Sequence, residues 1–147
     1  MTKETNSMKL EFPSRSVNES FARAAVACFA AQLDPTLDEL GDIRTAVSEA
    51  VTNSIVHAYP DTIGKIRVTA RLFPDNSIEI KIKDWGRGID DVQQARQPMF
   101  TTGGDERSGM GFTIMSSFTD KLRVRSAPGR GTTVTMRKRI SPRARRL

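Results

Sequence analysis

The chain of 147 residues is short of the residue types that staple or span, with one cysteine, one histidine, one tryptophan and one tyrosine. Cys28 alone cannot form an internal disulfide and reads as a small core hydrophobe. His57 has no Cys or second His with which to assemble a metal site, so it reads as a packing residue. No apolar run approaches the ~18 residues that a membrane helix needs, and the opening MTKETNSMKLEF lacks the charged-then-apolar order of a secretory leader. Disulfide scaffolds, zinc modules and helical membrane proteins are excluded, and a cytoplasmic protein with no membrane partner is expected.

Acid is absent from one end. Between Lys121 and Leu147 there are ten Lys or Arg and no Asp or Glu, so the net charge of +6 belongs to that end, and the first 120 residues carry 13 basic against 17 acidic groups. Many of the ten alternate along two predicted strands. That reads as a solvated strand face followed by a basic tail, residues 141–147, expected to be disordered; direct nucleic-acid binding is not expected.

What is present suits one globular domain of residues 1–140, with 37% hydrophobic and 27% charged residues. Met8 to Phe12 predicts a short strand stopped by Pro13. Ser16 and Glu19 make a capping-box pattern for a first helix reaching Leu33, with Phe21, Ala25, Cys28 and Phe29 as its core face. Asp34-Pro35 breaks that helix. Thr36 and Glu39 repeat the capping pattern for a long second helix, with Leu40, Ile43, Val47, Ala50, Val51 and Ser54 along one side and an end near Tyr59-Pro60. From Lys65 the period changes to two: Ile66, Val68, Ala70 and Leu72 alternate with polar residues, Pro74 to Ser77 turns the chain, and Ile78, Ile80 and Ile82 return. Asp84 to Gly111 reads as a long loop with a short helix around Asp91 to Ala95 and a lid from Gln97. A helix over Phe112 to Phe118 and a hairpin turning at Pro128-Gly129 close the pattern. This order predicts an α+β two-layer sandwich, with helices on one face of a mostly antiparallel sheet.

Four segments carry candidate chemistry. Glu49 and Asn53, one helical turn apart, can share a site as a proton acceptor and a hard oxygen ligand for Mg²⁺ held with phosphates; an ordinary polar helix face gives the same pattern. Asp84-Trp85-Gly86-Arg87-Gly88 puts a carboxylate at a strand end, where it can accept from an exocyclic amine, beside glycines that admit a planar base; ordinary loops carry this too. Arg107-Ser108-Gly109-Met110-Gly111, after Thr101-Thr102, opens a helix whose N–H groups can face phosphate. Its spacing matches neither the P-loop nor the dinucleotide fingerprint. Gly129 to Thr133 is either a fourth element or a plain turn.

Together and in this order the four segments resemble the elements of the GHKL (histidine-kinase-like) ATPases. Asn18-Glu19-Ser20-Phe21-Ala22-Arg23, the Ser48 to Tyr59 segment, Ala95 to Thr102 and Glu106 to Met115 narrow the resemblance to the sporulation anti-sigma factors, which are also serine kinases. It covers roughly Met8 to Arg139. The resemblance implies the Bergerat ATP-binding fold, ATP or ADP with Mg²⁺, and a homodimer. Its implied partners are a sigma factor of the sigma F type and an anti-anti-sigma protein phosphorylated on serine. By it, Glu49 is the catalytic base, Asn53 the Mg²⁺ ligand, Asp84 the adenine partner supported by Thr132, and Gly86 and Gly88 the base-side loop. Thr101, Thr102, Arg107, Ser108, Gly109 and Gly111 then lie on the lid and phosphate side, with Glu19 and Arg23 on the docking surface. Trp85 and Gly103-Gly104-Asp105 depart from the family pattern. Alternatives are a general-stress-type anti-sigma kinase and a nucleotide-dependent binding module without transfer; no phosphoacceptor-histidine hairpin speaks for a sensor kinase.

Overall fold

Alternation along the strands decides the architecture. The computed structural model of the chain describes residues 3–96 and 111–142. Its strands are β1 (Asn6–Pro13), β2 (Lys65–Leu72), β3 (Ser77–Asp84), β4 (Lys121–Ala127) and β5 (Gly131–Arg139), and its helices are α1 (Val17–Ala30), α2 (Leu37–Asn53), α3 (Val92–Ala95) and α4 (Gly111–Phe118). The five strands pair antiparallel in the order β1-β2-β3-β5-β4. In β2 and β3 every second side chain is buried, and register sets Val68 opposite Ile82 and Ile80 opposite Met136, which makes one apolar face. The helices cover that face. Ile43, Val47, Ala50 and Val51 of α2 and Phe112 and Met115 of α4 join it in a single core. The result is the expected α+β sandwich, with a polar outer sheet face that none of the described helices covers.

The alternation carries beyond the apolar residues. Asp84 continues the inward row of Ile78, Ile80 and Ile82, Thr132 that of Val134 and Met136, and Ser126, opposite Thr132, that of Leu122 and Val124. Three inward rows thus finish in polar groups at the same end of the sheet.

The first helix differs from expectation in two ways. Its buried side chains are Ala22, Val26, Ala27 and Ala30, whereas Phe21 is 54% exposed and Cys28 is exposed, so neither belongs to the core. Alanines let α1 lie close against α2 and the sheet, which turns the bulkier Phe21 outward; residue size alone pointed the other way. The capping box at Ser16 does not form either. Ser16 sits in the right-handed helical region and makes no side-chain cap, while the Glu19 carboxylate instead accepts from the Ser48 hydroxyl of α2 and pairs with Arg23 at 3.7 Å. At α2 the same pattern closes fully: Glu39 N–H donates to Thr36 Oγ1 at 3.1 Å and Thr36 N–H donates to Glu39 Oε1 at 2.9 Å. The first strand is longer than expected on both sides, because it pairs with β2 along its whole length. Beyond the end of β5, Ser141 N–H donates to Glu39 Oε2 at 2.9 Å.

Candidate functional site at the polar end of the sheet

The long helix does not simply stop. After Asn53 it widens into a π turn, Ser54–Ala58, which ends at Tyr59; such turns recur at functional sites because they re-aim one side chain. Ser54 continues the buried side of α2, and its hydroxyl donates to Asp84 Oδ2 at 3.0 Å. Asp84 Oδ1 accepts from the N–H groups of Gly86 at 3.0 Å and Thr132 at 3.1 Å. The carboxylate is 3% exposed. Burial pushes its pKa up, against the pull of the three hydrogen bonds. With two lone pairs per oxygen, Oδ2 keeps acceptor capacity for one further donor.

Backbone packing holds the loop that follows. A Cβ on Gly86 would stand 2.4 Å from the Ala58 carbonyl oxygen, and Gly131, at φ +96, brings its backbone so close to β3 that a Cβ would lie 2.2 Å from the Asp84 carbonyl oxygen. Only glycine fits at either position. Arg87 N–H donates to the Ala58 carbonyl and the Arg87 carbonyl accepts from Gly129 N–H, tying the loop to both the π turn and the β4–β5 turn. Gly88 abuts Ala127, and Ile89 N–H donates to the Ser126 hydroxyl at 2.7 Å. Tyr59, buried, accepts from Trp85 N–H at 2.7 Å and donates to the Lys65 carbonyl at 2.7 Å. Burial raises the Tyr59 pKa, and the nearby Asp84 charge adds to it.

Glu49 and Asn53 are half-buried on α2, one turn apart as expected. Gly111, the first residue of α4, packs against the Asn53 amide so closely that a Cβ would meet its Nδ2 at 3.0 Å. The start of α4, the Asn53 amide and the Asp84 network therefore adjoin one another through the consecutive residues Asn53 and Ser54. Asn53 supplies a hard oxygen donor, and among the described residues no cluster of three His, Cys, Asp or Glu gathers. One such oxygen is compatible with Mg²⁺, which keeps several waters and shares its ligands with phosphates. Glu19 and Arg23 lie on α1 beside Ser48. Thr101, Thr102, Arg107, Ser108 and Gly109 lie outside the described residues, as does the expected lid from Gln97 to Glu106.

Sequence reasoning missed Tyr59 and Ser126 as site neighbours, and placed Ser54 among the core positions without its bond to Asp84. For Ser54 and Ser126 the signal was there: each sits where an apolar row should continue and does not. Trp85 lies over the outer sheet face, its ring within 4.6 Å of Lys65 Nζ and 5.1 Å of Lys83 Nζ.

Residues 12–138 match the histidine kinase-like ATPase domain family. The chain is 58% identical over 136 residues to the anti-sigma F factor of Caldanaerobacter subterraneus, covering 92% of this chain and 94% of that one. It is 51% identical over 137 residues to the anti-sigma F factor of Geobacillus kaustophilus, at 92% and 94% coverage. Among solved structures it resembles the RsbU and RsbW domains of a Mycobacterium tuberculosis protein, with a TM-score of 0.68 at 21% identity over 92% of this chain and 32% of that longer one. The histidine kinase domain of an Erythrobacter litoralis blue-light activated kinase gives a TM-score of 0.58 at 19% identity, over 83% of this chain and 60% of that one. These two show the fold. No helix among the described residues is long and apolar enough to cross a membrane.

Proposed function

The chain belongs to the histidine kinase-like ATPase family, in the branch of the anti-sigma F factors, and from that premise we propose that it is an ATP-dependent serine kinase and an anti-sigma factor. The observation that carries the nucleotide part is Asp84: a buried carboxylate, aimed by three donors, with an acceptor position left over at the end of the sheet. That position suits the exocyclic amine of adenine, with Thr132 fixing the carboxylate and the loop of Gly86 and Gly88, packed on Ala58 and Ala127, lying on the base side. Asn53 would hold Mg²⁺, which spreads the charge of the phosphates when bound. Gly111, with Arg107, Ser108 and Gly109, would face those phosphates, and Thr101 and Thr102 would close over them.

Glu49 stands one turn before Asn53. As general base it takes the proton from a serine hydroxyl while the serine oxygen bonds to the γ-phosphorus and the bond from that phosphorus to the β-phosphoryl oxygen breaks, leaving ADP. The serine belongs to an anti-anti-sigma protein. The same surface, at Glu19 and Arg23, holds a sigma factor of the sigma F type away from RNA polymerase, and the protein works as a cytoplasmic homodimer by resemblance to its relatives. Incubation with γ-labelled ATP, Mg²⁺ and lysate of the source cells is expected to label one protein on serine. Glu49→Gln is expected to slow that transfer by ~10²–10⁴ while nucleotide affinity changes little. A loss of affinity larger than the loss of rate would remove Glu49 as base. Nucleotide binding with no labelled serine would leave a nucleotide-dependent binding module.

A further inference from the structure

Along α2 a polar stripe of Gly41, Arg44, Thr45, Ser48 and Glu49 recurs at helical spacing, and with Arg23 of α1 it lines an open groove of about 380 Å³. Glu49 is the lining residue farthest along α2. The groove's two cations differ. Arg23 is paired with Glu19, which also accepts from Ser48, so its charge is compensated within the protein. Arg44 is exposed, and among the described residues no carboxylate lies within ion-pair distance of it. At Gly41 the groove is open, since a Cβ there would meet nothing within 4 Å.

From these residues, and resting on the kinase reading above, we propose that Arg44 is a specificity-determining residue for the serine substrate, pairing with a carboxylate carried two or three positions from the acceptor serine. Arg44 and Glu49 are five residues apart on one helix, about 7.5 Å along its axis at ~1.5 Å per residue and ~140° around it, on opposite edges of the stripe, and an extended peptide crosses from one to the other in roughly three residues at ~3.3 Å each. Arg44 attracts the carboxylate and Glu49 is where the serine hydroxyl must lie, so the acidic residue sits at Arg44 and the serine at Glu49. A guanidinium binds a carboxylate through two parallel N–H donors, which an ammonium reproduces only in part.

The test uses the full chain and the substrate protein identified by labelling, with wild type, Arg44→Gln, Arg44→Lys and Arg44→Glu compared. Loss of one charge-assisted pair is expected to raise KM about tenfold for Arg44→Gln, further for Arg44→Glu and less for Arg44→Lys, with kcat within about twofold. The shift in melting temperature on adding ATP should be unchanged in all three. Neutralising the acidic residue near the acceptor serine should raise KM with wild type and add nothing with Arg44→Gln, as expected of a directly coupled pair. Wild-type KM should also climb more steeply with salt than that of Arg44→Gln. A wild-type KM for Arg44→Glu, or a fall in kcat at constant KM, would overturn the assignment. Absence of any labelled serine with wild type removes the kinase reading itself, and this inference with it.

Discussion

Two carboxylates, one at the start of α2 and one at the end of β3, are held by similar sets of donors and are displaced in opposite directions. Glu39 accepts from the N–H groups of Thr36 and Ser141, and its pKa is lowered, these bonds outweighing the burial that alone would raise it. Asp84 accepts from two N–H groups and a hydroxyl, yet burial wins and its pKa is raised. The difference lies in water. Glu39 is partly exposed, whereas Asp84 closes a row of isoleucines on the covered face of the sheet. The cap carboxylate therefore stabilises the fold in its charged form, while the site carboxylate stays charged at a cost, as sites arranged for a ligand commonly do.

The sharpest way to break this contrast is Asp84→Asn. Its oxygen can still accept from Gly86 and Thr132, and the Ser54 hydroxyl can turn from donor to acceptor, so the apo fold should melt at or above the wild-type temperature. Stabilisation by ATP, about 2.7 kcal/mol at a hundred times the dissociation constant, should be lost, because an amide N–H₂ cannot accept from adenine. Calorimetry with and without nucleotide reads both effects. A retained shift would remove Asp84 from the base site.

Thr36→Ala tests the other side. Loss of the cap should cost about 1 kcal/mol in denaturant unfolding and leave the nucleotide shift intact. An altered nucleotide response would mean that the two regions are coupled through α2. On the same helix, Gly41→Ala should stabilise by about 0.5–1 kcal/mol, since nothing in the structure needs glycine there; destabilisation would show an unseen contact in the groove.

The smallest effects are pH slopes of opposite sign. Because the folded pKa of Asp84 is raised above its ordinary 3.8, its penalty falls as pH drops through that raised value, and Asp84→Asn should flatten this arm. Because that of Glu39 is lowered below its ordinary 4.5, its contribution is present above 4.5 and is lost as pH falls through the lowered value, so Glu39→Gln should flatten the acid arm. Melting temperatures across mildly acid pH separate the two. Arms of the same sign would contradict the burial argument.

The strands, the turn at Pro74 to Ser77 and the buried side of α2 were legible because their periods are long and unbroken. Glu49, Asn53 and Asp84 were legible as residue types at meaningful spacings, and the structure puts Asn53 beside Gly111 and Asp84 beside Thr132. The first helix was misread because its packing rests on alanines, which carry little weight in a hydrophobic pattern, while Phe21 and Cys28 carry much. The patterns at Ser16 and Thr36 are alike in sequence, and only the neighbouring helix decides that Glu19 leaves its own N-terminus for Ser48. A local rule gives way there to a tertiary contact beside the groove, which is where such departures concentrate.

The hydrogen bond between Tyr59 and Trp85 has an optical consequence. These are the chain's single tyrosine and single tryptophan, so its tyrosine and tryptophan emission originates where the end of the π turn meets the loop following Asp84. The indole is 39% exposed and ringed by the charges of Lys65, Arg67 and Lys83, which makes its spectrum responsive to any movement of that loop against the outer sheet face. The unlabelled protein thus carries its own reporter next to Asp84, and a titration followed by tryptophan emission tests the proposed binding of nucleotide there without a dye or an engineered fluorophore.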